Sequence, residues 1–449
     1  IIGYYKTIRS TKQTKILNTV VHNLRRKECY CTITMASLNL AVHQTQFDDD
    51  ASMVKVGVVG CGRIGMLHLE ALTNAPGVLP IICSNPHIDR ARTAAETFKI
   101  PAYCAEADTV ITHPDVQAVW ICSPSQFHSE QIIACAKAGK HVFCEKPIAT
   151  DLQQTILAID ACDAAGVKLM IGLQRRFDKN FGRVKQAMDD QEVGEPFLIK
   201  LTSRDPAAPP KEYVEGGGGL FKDMAVHDLD MARYLAASCP VDVMATGSTH
   251  VDPTIVDLPG SERFDTAACI VRFENGMMAT IDVCRQSSYG YDQRAEVLGT
   301  EGMIATDNVY PNTANVFKKS YTGNADLPYD FFLKRYNQAY IDETIEFCKS
   351  LTKNTTPPVS GKDGLCSLVM ALAADKSAEE NRWVKFKEII DEAKNVNTIE
   401  KLRHIHPAWV DHRTENSPAP KSIPDQLEGI FASQRRGSSI IVEDISSSM

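Results

Sequence analysis

The stretch VKVGVVGCGRIGMLHLEALTNAPGVLPIICS, Val54–Ser84, decides the fold. Its first seven residues, VKVGVVG, are a short β-branched run of the kind that makes a buried parallel strand. GRIGMLHLEALTNA follows with helical periodicity, and VLPIICS returns to strand. That order is a βαβ unit, and the alternation continues. ARTAAETFKI reads as a helix, VQAVWICSP as a strand, SEQIIACAKAGK as a helix, HVFCEKP as a strand, DLQQTILAIDACDAAG as a helix and VKLMIGLQ as a strand. The expected class is α/β, beginning with a doubly wound Rossmann parallel sheet over residues 53–176.

After Arg176 the rhythm changes to successive β-rich stretches: EPFLIKLTSR, VDVMATGSTHV, DTAACIVRFENGMMATIDVC and RAEVLGTEGMIAT. Asn275-Gly276 in the third predicts a hairpin. A second α/β domain with a mostly antiparallel sheet is expected over residues 177–387, closed by helices near 331–350 and 364–380. Residues 1–52 and 388–449 read as extensions, the latter partly disordered from its Pro/Ser bias. Residues 1–34 carry seven Lys or Arg against one acid, Glu28. Translated upstream sequence, with a start at Met35 or Met53, is the preferred reading; a mitochondrial transit peptide is the alternative to a cytoplasmic protein.

Composition narrows the function classes. The 48 Lys and Arg are outnumbered by 56 Asp and Glu, for a net −8, with no basic stripe interleaved with aromatics, which argues against nucleic acid. The apolar runs are too short to span a bilayer. The 14 cysteines are scattered through apolar runs without CxxC pairs or regular spacing, as small buried residues of a reducing compartment are, and no clustered Cys/His set suggests zinc.

Gly60-Cys61-Gly62-Arg63-Ile64-Gly65 is GxGxxG between a strand and a helix, the context that dinucleotide binding requires. Gly60 allows the tight turn, Gly62 admits the pyrophosphate and Gly65 lets the helix pack closely, with the phosphates at the positive helix end. At the end of the second strand Ser84 and Asn85 stand where an acid that binds the ribose and repels a 2′-phosphate is usual. The cofactor reading is NAD, with NADP left open. Lys146 follows a strand at the sheet's carboxyl edge, where it can favour alkoxide character in a substrate hydroxyl, with Glu145 as a partner or a surface acid. In KDMAVHDLDMARYL, Asp223 and His227 lie four apart on one predicted helix face behind the run Gly216–Gly219. Oxidising a secondary alcohol needs a base for its proton, a role for His227, with Asp223 expected to hold the imidazole tautomer.

Together VGVVGCGRIGMLH, CSPSQFHSE, VFCEKPIAT, GLQRRFDKNF, SRDPAAPPKEY, GGGGLFKDMAVHDLDMARYL and YGYDQRAEVLGTEGMI resemble the Gfo/Idh/MocA oxidoreductase family, most closely its inositol 2-dehydrogenases, over about Lys55 to Lys387. The resemblance implies a C-terminal domain whose open sheet faces a partner subunit in dimers or tetramers. It implies Lys146, followed by a bond to Pro147 that is often cis, and the pair Asp223 and His227 as catalytic residues. Gln174, Arg175, Asp205, Tyr291 and Tyr340 match substrate-wall positions; Ser123, Ser125 and His128 match the nicotinamide side. The expected substrate is a cyclic polyol, myo-inositol first, with scyllo-inositol or another sugar as alternatives. A non-catalytic nucleotide-binding regulator is the rival reading.

Overall fold

The structure is a computed structural model that describes residues 53–320, 322–324 and 326–393. The extensions expected at 1–52 and from 394 onward lie outside the described residues. Six strands make the first sheet: β1 (Val54–Val59), β2 (Val78–Ser84), β3 (Ala102–Cys104), β4 (Ala118–Ile121), β5 (His141–Glu145) and β6 (Leu169–Gly172). Their order is β3-β2-β1-β4-β5-β6, and every adjacent pair is parallel. The order reverses between β1 and β4, and at such a switch point the carboxyl ends of the strands open a ligand crevice.

Helices α1 (Arg63–Asn74), α2 (Ile88–Phe98), α3 (Ala107–Ile111), α4 (His128–Lys137) and α5 (Leu152–Ala165) connect these strands. The β-branched residues Val56 and Val58 are fully buried, as a sheet covered on both faces demands. Asp151 caps α5 by accepting from the Gln154 N–H, and Gly166 ends it in the left-handed conformation.

The second sheet is built from β7 (Pro196–Arg204), β8 (Pro240–Ser248), β9 (Thr266–Phe273), β10 (Met278–Cys284), β11 (Asp292–Gly299), β12 (Met303–Ala305) and, after a separate hairpin of β13 (Asn315–Phe317) with β14 (Thr322–Asn324), β15 (Val384–Lys385). Its order is β12-β11-β7-β10-β9-β8-β15, with β7–β10 the parallel pair and the others antiparallel. The Asn275-Gly276 turn joins β9 to β10 as its sequence predicts, with Gly276 at φ 87°.

Helix α6 (Lys179–Asp189) separates the sheets in sequence, and α7 (Val226–Ala236) packs on β7. The two closing helices, α8 (Asn337–Thr352) and α9 (Gly361–Glu380), return to the first sheet. Helix α8 lies against α1, where Phe347 and Tyr340 meet Trp120 and His68 edge-on. Helix α9 touches β6 and β8, one strand from each sheet. Helix α10 (Phe386–Glu392) runs across the boundary expected at residue 387, because Phe386, Ile389 and Ile390 are buried.

Candidate active site

The glycine-rich turn meets the demands of a dinucleotide. Gly60 sits at φ 99°, and a Cβ on Gly65 would lie 1.8 Å from the Gly60 carbonyl oxygen, so neither tolerates a side chain. Around Gly62 there is open space, and no side chain caps the first turn of α1. Its amide N–H groups are therefore available to a phosphate. At the end of β2, Ser84 and Asn85 are buried, and Asn85 Oδ1 accepts from the His87 N–H at 3.0 Å. Arg63 stacks over the rings of Phe331 and Phe332, and Ile64 packs against the core. On the other side of the crevice Ser123 donates to Gln131 at 2.6 Å, and Ser125 begins the turn leading into α4. The buried ring of His128 contacts the carbonyls of Pro147 and Ser123, both at 2.7 Å.

Lys146 leaves β5 before a cis bond to Pro147. Its Nζ donates to the Asp223 carbonyl at 2.6 Å and to Asp223 Oδ1 at 3.2 Å, leaving one of three N–H donors for a ligand. Arg285 Nη1 reaches Asp223 Oδ2 at 2.9 Å, and the Tyr213 hydroxyl donates to Oδ1 at 3.3 Å. Burial disfavours the Asp223 carboxylate, but the Lys146 and Arg285 charges outweigh it and hold the group well below the usual carboxylate range. Lys146 is likewise disfavoured by burial but kept charged by Asp223, Tyr213 and Glu145.

The expected contact of Asp223 with the imidazole is not made. Asp223 spends both carboxylate oxygens on Lys146, Tyr213 and Arg285, and the buried His227 Nδ1 has no hydrogen-bond partner. The cause is local: Phe221–Ala225 is a π-helical turn, whose wider winding breaks the four-residue register assumed for the pair. Burial first, then the positive charges of Lys146 and Arg175, push the His227 imidazole well below its ordinary value, with Asp223 opposing. A neutral ring is thus set beside a charged ammonium. Asp205 faces the same group: burial and Asp223 push its carboxyl up to about 6 against Arg285, Arg175 and Lys146.

The family description "oxidoreductase family, NAD-binding Rossmann fold" matches residues 54–173, and the Gfo/Idh/MocA C-terminal domain matches residues 181–305. The chain belongs to the Gfo/Idh/MocA family. It is 40% identical to a myo-inositol 2-dehydrogenase of Thermotoga maritima over 337 residues, 75% of this chain and 100% of that protein. It is 37% identical to an inositol 2-dehydrogenase of Rhizobium meliloti, over 74% of this chain and 98% of the relative. Among solved structures it resembles scyllo-inositol dehydrogenase of Lactobacillus casei with bound NAD(H) and scyllo-inositol. That match has a TM-score of 0.69 at 29% identity, over 74% of this chain and 99% of the other.

In this Gfo/Idh/MocA oxidoreductase the residues expected at the substrate wall have unequal surroundings. Arg175 is buried, its Nη1 on Asp228 at 2.6 Å and Nη2 on Ser203 at 3.0 Å, while its Nε has no partner. Gln174 is buried beside it, and Tyr291 packs edge-on against Phe331 and Tyr336. Tyr340 lies against His68, whose Nε2 meets Glu145 Oε1 at 2.7 Å. Glu145 Oε2 accepts from the Lys146 N–H at 3.2 Å, so Glu145 is a partner of the lysine corner. Sequence reasoning missed Arg285, Tyr213 and His68. The first two have no spacing signal, and His68 is indistinguishable in the text from an apolar-face residue of α1. Among the described residues no group of three or more His, Cys, Asp or Glu is placed to hold a metal ion, and no helix is long and apolar enough to cross a membrane.

Proposed function

We propose that this oxidoreductase is an NAD-dependent inositol 2-dehydrogenase that oxidises myo-inositol to the 2-keto sugar scyllo-inosose. The observation that carries the reading is the corner at the carboxyl edge of the Rossmann sheet where Lys146 Nζ, held by Asp223, keeps one N–H free and His227 Nδ1, buried within the part-exposed residue, has no protein partner. NAD, held by Gly60–Gly65 and the start of α1, supplies the hydride acceptor. His227 takes the proton of the reacting hydroxyl, a task that requires an uncharged ring at working pH. Lys146 donates its remaining N–H to the same oxygen and stabilises the charge that develops there. Asp223, Arg285 and Tyr213 fix the ammonium, and Asp205 offers a carboxyl to the neighbouring hydroxyls. The names of the relatives support inositol as the substrate, and the NAD(H)-bound relative supports the cofactor. Asn85 in place of a repelling acid is what leaves NADP in the test. The sheet face bearing Ile270 and Met303, both exposed, is the surface on which a second copy would pack.

The experiment is nicotinamide reduction by purified protein given myo-inositol with NAD and, in parallel, NADP. Reduction with NAD supports the reading in full. Reduction with NADP alone overturns the cofactor, and turnover of other cyclic sugars but not of inositol overturns the substrate.

A further inference from the structure

The carboxyl ends of β7 and β10 set an acid and a guanidinium next to each other. These strands are the parallel pair of the second sheet, with Arg204 opposite Cys284, and the Asp205 N–H continues the ladder to the Cys284 carbonyl at 2.9 Å. Arg204 turns to the open face, where it meets Asp282 and Tyr289. Alternation along a strand turns the next residues, Asp205 and Arg285, to the opposite face, and on parallel strands they stand side by side there. That face carries the Lys146 corner. Lys146 Nζ holds Asp223 Oδ1 at 3.2 Å and Arg285 Nη1 holds Oδ2 at 2.9 Å, so the ammonium and the guanidinium are one carboxylate apart.

An acid and a guanidinium so placed would ordinarily close an ion pair, and these two do not. Arg285 is committed to Asp223 through one nitrogen. Among the described residues neither its Nε nor its Nη2 has a hydrogen-bond partner, nor has either carboxyl oxygen of Asp205. The Arg285 side chain is 7% exposed, yet none of these atoms is among the unpartnered ones sealed from solvent, so they open onto the site. Burial pushes the Asp205 carboxyl up, and Arg285 is the first charge to draw it down. A donor and an acceptor left unjoined in such a place cost stability until something completes both. A hydroxyl does so, because it accepts one hydrogen bond and donates another. A carboxylate would be repelled by Asp205 and an ammonium by Arg285.

We propose that Arg285 is a specificity-determining residue that, with Asp205, clamps one neutral hydroxyl beside the reacting carbon: Arg285 donates to its oxygen, and Asp205 accepts from its O–H. This clamp rests on the polyol oxidation proposed above. Two variants test it in the full chain. Arg285→Lys keeps a positive charge for Asp223 but loses the fork of donors, and Asp205→Asn keeps the shape of the acceptor without its charge. Turnover with NAD is read on myo-inositol and on the two deoxyinositols that lack one or the other hydroxyl beside the reacting carbon. On myo-inositol each variant is expected to lose about ten- to a hundredfold in kcat/KM, most of it in KM. On one analogue, the same one for both variants, the loss is expected to shrink to about threefold or less. An equal loss on all the substrates would mean that Arg285 acts through Asp223 alone, and overturns the clamp, as does a different analogue for each variant. Asp205→Asn carries the test by itself if Arg285→Lys does not fold. Calorimetric binding of myo-inositol to the NADH complex needs no turnover, and both variants are expected to weaken it; unchanged binding overturns the clamp. Weakened binding in a protein that reduces no NAD would sink the dehydrogenase reading and keep the clamp, and a wild type that binds no myo-inositol would overturn both.

Discussion

His227 is where the proposed chemistry is most exposed to test. Its depressed value keeps the ring uncharged as pH falls through the ordinary histidine range, so the acid limb of kcat/KM for the polyol is expected below 6.5. A limb at or above that value would mean another group is the base. Removing the imidazole in His227→Ala should cut kcat by about 10²–10⁴ while NAD still binds, as checked by turnover and cofactor titration. Asp205 makes a second, opposite claim. Its folded value, about 6, lies above the ordinary carboxyl value of 3.8, so the stability it contributes is present at low pH and is lost as pH rises through about 6. Asp205→Asn should therefore raise stability by on the order of 1–3 kcal/mol at pH ~7, and by little near pH ~4, while lowering turnover. Urea unfolding at the two pH values reads the difference. Lys146, Asp223 and His227 were legible in the sequence because strand ends and motif order mark them. Their partners were not: Arg285 comes from a strand end 62 residues beyond Asp223, a pairing that only the fold creates.

The element that brings Asp223 to Lys146 is the glycine run with the π-turn that follows it. Gly216, Gly218 and Gly219 all have positive φ, and a Cβ on Gly219 would lie 2.0 Å from Ser261 Oγ and 2.9 Å from the Ser261 backbone. The run is a tightly fitted corner against the segment before β9. Gly219→Ala combines a strained backbone with overpacking and should cost about 2–4 kcal/mol, lowering Tm and kcat together because the turn carries Asp223. Thermal unfolding and turnover on the same preparation check this; a variant with unchanged Tm would show that the corner repacks freely. Hydrophobic periodicity found most of the longer strands and helices, though not α6, because each presents one clear face to a core. It passed over β3, three residues long, and α3, five residues long, since neither completes enough of a period to register. It also could not show the π-turn: the apolar residues Phe221, Met224 and Ala225 are buried there, as they would be on an α-helix.

The parallel, doubly wound class of the first sheet followed from alternation, while its strand order came only with the fold. What alternation does not encode is that α8 and α9, late in the chain, both cover the first sheet's side of the molecule, with α9 also packing on the second sheet. Helix α8 lays Phe347 on Trp120 and Phe143, all fully buried, and α9 sets Gly361 and Gly364 against Ile159, Leu169, Ile148 and Ile171. A boundary read at residue 176 divides the text where the rhythm changes, yet the packing crosses it. Buried ion pairs cross it too: Arg175 with Asp228, and Arg176 with Asp230 and Asp363. A fragment of residues 53–176 keeps every strand of the Rossmann sheet and the whole of GxGxxG, and should nonetheless fail to form a stable fold. Losing α8 alone uncovers Trp120 and Phe143, at about 1.5–3 kcal/mol for each large apolar side chain, against a typical domain stability of about 5–15 kcal/mol. The fragment is expected to bind a hydrophobic dye and to melt without a cooperative transition, whereas the full chain melts cooperatively and is stabilised by NAD. A fragment that instead melted cooperatively and bound NAD would show that α8 packs on the first sheet without being needed for its stability.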